Sequence, residues 1–177
     1  MRVLFITIWV IILDQATKLW IKAQFLLYDS VQVLGDFFRI TYIENPGMAF
    51  GLRFAGPWFF TLFSFIASIA LIVVIYRMRT EPLLPRATLA LVLGGAIGNL
   101  IDRFAYGQVI DFLDFGLGGK RFPVFNVADS AVTIGMVMLI FLVLFEKDDS
   151  KKDTSRLPYQ AKDLPDSEEK DIWHSDN

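Results

Sequence analysis

Four long apolar runs constrain this chain more than any other feature. They cover about residues 3–20, 57–76, 87–104 and 127–145. Each approaches the roughly 20 residues an α-helix needs to cross a hydrocarbon core. Lipid offers no partner to backbone N–H and C=O groups, so a run of this kind must satisfy them internally, as a helix does. The predicted fold class is therefore a membrane all-α bundle of four transmembrane helices. With 54% hydrophobic residues among 177 and a mean hydropathy of +0.48, the chain is too apolar for a water-soluble domain of this size. The first run has no Ala-x-Ala-like cleavage site and is interrupted by Asp14 and Lys18, so it reads as a retained span rather than a removed leader.

Charge placement orients the spans. The loop between the second and third carries Arg77, Arg79 and Arg86 against Glu81 alone. Arg2 precedes the first span, and Lys147, Lys151, Lys152 and Arg156 follow the fourth. The positive-inside tendency puts all three segments in the cytoplasm. Both termini are then cytoplasmic, and the loops 24–56 and 105–126 face outward. In the first of these, Val31-Gln32-Val33 and Phe37 to Ile43 read as short strands, ended by Asn45-Pro46-Gly47. A small extracytoplasmic antiparallel β-sheet is expected there. The division is a four-helix membrane domain over 1–146, with its 24–56 β platform, and a tail over 147–177. From Glu146 onward lie ten of the nineteen acidic residues but six of the seventeen basic ones, a composition that predicts a disordered, solvated cytoplasmic tail.

Several chemistries drop out. No cysteine is present, which removes disulfides, thiol catalysis and thiolate metal sites. His174, the one histidine, lies in the polar tail, so neither a histidine triad nor a zinc site is expected. No basic stripe interleaved with aromatics supports nucleic-acid binding. No metal and no cofactor are called for.

Orientation gathers the remaining polar residues at one depth. Asp14 lies about 17 Å along an outward-running helix, just past the midplane, with Lys18 one turn higher. Asn99, Asp102 and Arg103 end the outward-running third span; Asn126 and Asp129 begin the inward-running fourth; Asn45 and Asp111 sit in the outer loops. Ionisable groups at membrane depth are costly and point to a site. Two carboxylates that meet, Asp111 and Asp129, form a candidate acid–base pair. Bland readings stand beside these. Asp14 and Lys18, spaced i,i+4 with the acid first, suit a structural ion pair. Asp102-Arg103 suits a topology anchor, or Arg103 pairs a carboxylate or holds a substrate carbonyl. Asn45-Pro46-Gly47 suits a turn, and Gly94, Gly95 and Gly98 suit close helix packing. Asn126 and Asp129 suit an N-terminal cap as well as a catalytic role. Asp114 reads as a solvated loop acid. A proton- or cation-coupled transporter using these acids as a relay is the alternative function, although spans two and four offer few polar groups beyond Ser68 and Thr133; a non-enzymatic scaffold is a third.

Five ordered blocks then carry a resemblance: Asp14-Gln15-Ala16-Thr17-Lys18; Asn45-Pro46-Gly47-Met48-Ala49-Phe50-Gly51; the stretch from Gly94 to Arg103; Val109-Ile110-Asp111-Phe112; and Phe125-Asn126-Val127-Ala128-Asp129-Ser130. Together, over about residues 1 to 145, they resemble the lipoprotein signal peptidases, or signal peptidase II, a family of bacterial membrane aspartyl endopeptidases. The resemblance implies hydrolysis of a prolipoprotein's signal peptide just before its diacylglyceryl-modified cysteine, at the inner membrane near the outer leaflet. It implies Asp111 and Asp129 as catalytic residues. Asn99, Asp102, Arg103 and Asn126 would support them directly, with Asp14, Lys18, Asn45, Gly47 and Ala128 completing the polar site. Diacylglyceryl prolipoproteins and membrane lipids are the implied partners of a monomer, and cyclic peptides of the globomycin class the implied inhibitors. Met48 stands where this family often carries alanine.

Overall fold

The structure, a computed structural model, describes residues 2–47 and 57–145. The expectations for Met48 and for the 147–177 tail lie outside the described residues. Four helices are long and apolar enough to cross a membrane: α1 (Leu4–Gln24), α2 (Pro57–Arg77), α3 (Leu83–Tyr106) and α4 (Val127–Phe145). They coincide with the four apolar runs, and α1 and α3 run several residues past the apolar edges because polar residues at helix ends still complete the backbone ladder.

The helix α3 is the centre of the bundle. It buries Leu89, Ala90, Leu93, Asn99 and Asp102, whereas α2 and α4 turn most of their large apolar side chains outward. A glycine stripe explains its position. A Cβ at Gly94 would lie 2.7 Å from the Cβ of Val10 in α1, and one at Gly95 would lie 2.2 Å from the carbonyl oxygen of Ala128 in α4. Only hydrogen fits at either point, so both neighbouring backbones approach α3 closely. The Thr7 hydroxyl crosses the first gap and donates to the Ala90 carbonyl at 2.9 Å. Val3, Ile75, Leu89, Ala90 and Leu93 form the apolar core at that end.

At the other end the chain builds a four-stranded antiparallel sheet in the order β1 (Ser30–Leu34), β2 (Phe38–Asn45), β3 (Val109–Leu117), β4 (Lys120–Arg121). The expectation placed the sheet within 24–56 alone; in the structure the segment between α3 and α4 supplies its longest strand. Gly107 ends α3 in the left-handed conformation (φ 75°), with its N–H on the Arg103 carbonyl. The turn lets β3 start two residues later and lie against β2, pairing Asn45 with Val109 and Ile43 with Asp111. Gly118 and Gly119, at φ 58° and 80°, form the two-residue turn into β4. Ile21, Tyr42, Ile110 and Phe112 pack the sheet onto the end of α1.

Candidate active site

Helix ends and one strand bring the polar residues together. The N-terminus of α4 is closed by reciprocal bonds: the Asp129 N–H donates to Asn126 Oδ1 (2.9 Å) and the Asn126 N–H to Asp129 Oδ2 (3.3 Å). The cap foreseen from their spacing is therefore present, and it aims the Asp129 carboxylate. Asn126 Nδ2 also donates to Asp111 Oδ1 at 2.7 Å. One asparagine thus touches both acids. The second oxygen of Asp111 receives Asn45 Nδ2 (3.0 Å), and Asp129 Oδ1 receives Asn99 Nδ2 (2.7 Å). Gly47 donates its N–H to Asn45 Oδ1 (3.0 Å), so the foreseen turn also orients Asn45.

A second cluster lies behind the first. Lys18 Nζ sits 2.8 Å from both Asp14 Oδ2 and Asp102 Oδ2, with all three side chains essentially inaccessible. The i,i+4 pair foreseen for Asp14 and Lys18 is therefore one half of a triad. Asp14 Oδ1 accepts the Ala128 N–H (2.8 Å), and Asp102 Oδ2 accepts the Ile110 N–H (3.1 Å). These bonds dock the start of α4 and the start of β3 against α1 and α3. Asp102, expected beside the catalytic pair, instead faces Lys18, Gln15 and this backbone N–H, because it leaves α3 on the side of α1. Gln15 is a residue that sequence reasoning passed over; its amide donates to Asp102 (2.9 Å), to the Gly98 carbonyl (3.1 Å) and to Asp14 (3.2 Å). Its place inside a motif block was the only signal. Gly98 leaves room for Asp14, whose Oδ2 would lie 2.7 Å from an added Cβ.

The two clusters communicate through Asn99. Its Oδ1 accepts from Lys18 Nζ (2.9 Å) and from Asn126 Nδ2 (3.0 Å). An ammonium only donates, so Asn99 must turn its oxygen to Lys18 and its NH₂ to Asp129. The buried lysine therefore fixes the orientation of the amide that holds Asp129.

Asp111 and Asp129 line one cleft of about 520 Å³ together with Asn45, Gly47, Asn99 and Arg103. Its remaining walls are mostly apolar: Phe60, Val109, Phe122–Phe125, Ser130, Thr133 and Ile134. Arg103 donates to Ser64 Oγ of α2 at 3.3 Å. Asp14, Lys18, Asp102 and Ala128 are not among the cleft-lining residues. Burial, and then the neighbouring Asp129 carboxylate, push the Asp111 carboxyl up to about 7 against the opposing pull of the Asn45 and Asn126 amides.

Asp114 corrects the expectation of a solvated loop acid. It is only 5% exposed, accepts from Thr41 Oγ1 (2.7 Å) and pairs with Arg121 Nε (2.6 Å). Thr41 lies 73 residues away and Arg121 across the β3–β4 turn, so its burial depends on strand pairing rather than on its neighbours in sequence.

Fold and site together define a multi-pass membrane protein whose bundle end carries two carboxylates at an apolar cleft, bridged by one asparagine. Comparison with known proteins gives this class its family. The chain belongs to the signal peptidase II family: the sequence model described as signal peptidase (SPase) II matches residues 6–145. Membership makes it a protease and leaves the transporter alternative without support. The chain is 44% identical over 144 residues to a lipoprotein signal peptidase of Desulforapulum autotrophicum, covering 78% of this chain and 88% of that one. It is 43% identical over 136 residues to the lipoprotein signal peptidase of Syntrophus aciditrophicus, covering 74% and 84%. A solved bacterial membrane enzyme superposes with a TM-score of 0.75 at 35% identity, covering 86% of this chain and 92% of that one.

Proposed function

We propose that this cleft is the active site of an aspartic endopeptidase that removes the signal peptide of prolipoproteins on the N-terminal side of the diacylglyceryl cysteine. One observation carries the reading: Asp111 and Asp129 line the same apolar cleft, and Asn126 holds both carboxylates, Asp111 through its side-chain NH₂ and Asp129 through its backbone N–H. Two carboxylates whose charges act on each other in one cleft hold one proton between them, and the upward push on Asp111 to about 7 assigns it there. Asp129 then acts as general base. It takes a proton from a water whose oxygen bonds to the scissile carbonyl carbon, while protonated Asp111 donates to the carbonyl oxygen. Collapse breaks the C–N bond as the proton on Asp129 passes to the leaving nitrogen, and Asp111 recovers its own. The two amide hydrogens of Asn126 are already shared among Asn99, Ile110 and Asp111, and the Arg103 guanidinium, the cationic donor lining the cleft, serves the developing oxyanion. No covalent intermediate arises.

The sheet lies on the extracytoplasmic side and both termini are cytoplasmic, so the cleft opens near the outer leaflet. The charge asymmetry of the loops supports this orientation. Because the chain lacks cysteine, one cysteine placed at Gly118 reports the side directly: an impermeant thiol reagent labels it in intact cells, and labelling only after permeabilisation overturns the orientation. The catalytic assignment is tested by changing Asp111 or Asp129 to Asn and incubating each variant with a purified diacylglyceryl prolipoprotein. Normal shortening of the substrate by either variant sinks the pair.

A further inference from the structure

We infer that Arg121 is a positioning residue for substrate: it clamps the segment 118–125 to the sheet and so sets the wall of the cleft against which the peptide lies. The inference deepens the proposed function and rests on it.

The cleft has two unlike walls. One is made by residues set on regular elements, the helices α2, α3 and α4 and the strands β2 and β3. The other is a run of four consecutive residues, Phe122, Pro123, Val124 and Phe125, which has no helix and only one isolated bridge, at Phe125. A wall of this kind has little stiffness of its own. Pro123 has no N–H to contribute. The upstream end hangs on β4, and two residues are too few to hold a strand by its ladder.

The two ends of the wall are fastened differently. At the downstream end, Phe125 exchanges bonds with Leu113 (3.1 and 2.7 Å) and accepts the Phe112 N–H (3.0 Å). Its ring stacks on Phe115 at 5.8 Å. At the upstream end the Phe122 N–H reaches the Phe115 carbonyl (2.8 Å), and Arg121 supplies the rest. Its Nε donates to Asp114 Oδ1 (2.6 Å), its Nη2 to the Asp114 carbonyl (3.0 Å) and its Nη1 to the Asp36 carbonyl (3.1 Å). Asp114 is in turn held by Thr41. One planar fork thus ties β4 to β3 and to the turn before β2, with Thr41 of β2 beneath it. A fork with fixed donor geometry orders a segment in a way a flexible ammonium does not. The side chain passes close over Gly116, where an added Cβ would lie 2.7 Å from Nη1.

The separation of the two fastenings has a kinetic consequence. Arg121 contacts neither catalytic aspartate. Releasing it frees Phe122 to Val124, while Phe125, and with it Asn126 and the aspartates, keep their own bonds. Substrate binding should weaken and the chemical step should not. A residue that only stabilised the fold would lower the amount of active protein, and apparent kcat with it, at unchanged KM.

The test uses the full chain and a purified diacylglyceryl prolipoprotein, with steady-state kinetics for Arg121→Gln and Arg121→Lys. The expected result is a KM raised about five- to tenfold in Arg121→Gln, an intermediate rise in Arg121→Lys, and kcat within about twofold of the unsubstituted protein. A KM within about twofold of the starting value, or a loss confined to kcat, overturns the inference. If Arg121→Gln yields no folded protein, Asp114→Asn carries the same two outcomes. Cleavage by the unsubstituted chain with unchanged KM in the variants removes this inference alone, whereas no cleavage by the unsubstituted chain removes the proposed function and this inference with it.

Discussion

Two clusters of carboxylates lie against each other in this molecule and have opposite characters. Asp14 and Asp102 are inaccessible, share the Lys18 ammonium, and accept backbone N–H groups from α4 and β3. Asp111 and Asp129 line an open cleft, and the hydrogen bonds they accept come from the amides of Asn45, Asn99 and Asn126. A full counter-charge at 2.8 Å, with a backbone N–H beside it, ties a buried carboxylate into the structure. Neutral amides orient a carboxylate without deciding its proton, and that leaves the pair free to exchange one. The difference between the two clusters is therefore a difference in the charge of the partner, and on the proposed reading it separates structural acids from reactive ones.

The comparison is broken most severely by removing either reactive acid. Asp111→Asn or Asp129→Asn should lower turnover by about 10²–10⁴-fold, the range for losing a positioned acid or base, while the protein stays folded. Loss of folding in both variants would erase the contrast. The next largest effect is expected in the other cluster. Lys18→Met leaves Asp14 and Asp102 buried without their cation, at a cost of about 3–5 kcal/mol, read as a lower thermal midpoint or loss of folded protein. A Lys18→Met protein of undiminished stability would show that the triad is not what docks α4 and β3.

The smallest effect sharpens the comparison through pH. The folded state raises the Asp111 carboxyl from 3.8 to about 7, so the folded protein binds this proton more tightly than the unfolded chain does. Its contribution to stability is complete below about pH 3.8, declines as pH rises toward about 7, and is flat above. Asp111→Asn should remove that slope from a series of thermal midpoints. Turnover should likewise fall as pH rises through about 7, when the shared proton leaves the pair. A rate that climbs steadily across this range would reverse the assignment of Asp111 as the protonated partner.

The parts legible in the sequence share a physical character. Helices were legible because membrane solvation acts on length and hydropathy alone, and those are properties of a run. The common depth of the polar residues followed from helix rise and the placement of arginines. The Asp14–Lys18 pair and the Asn126–Asp129 cap were legible because spacings of four and three are short-range geometry. Asp114 was misread, and Gln15 was passed over, for the complementary reason. Their partners (Thr41 and Arg121; Asp102 and Gly98) lie on other elements, brought alongside by strand pairing for Asp114 and by the close approach of α1 to α3 for Gln15.

By itself, then, the sequence determined four spans, the stock of acids and amides toward one end of them, and the ordered motifs that tie the chain to its family. Only the tertiary structure decided which carboxylates receive a lysine and which receive asparagines. That choice rests on the glycine stripe of α3, which lets α1 and α4 close in until Lys18 reaches Asp102 and Asn99, and on the pairing of β3 with β2, which carries Asp111 to Asn45. Burial and counter-charge act through distances of a few ångströms, and those distances exist only after the helices and the sheet have packed.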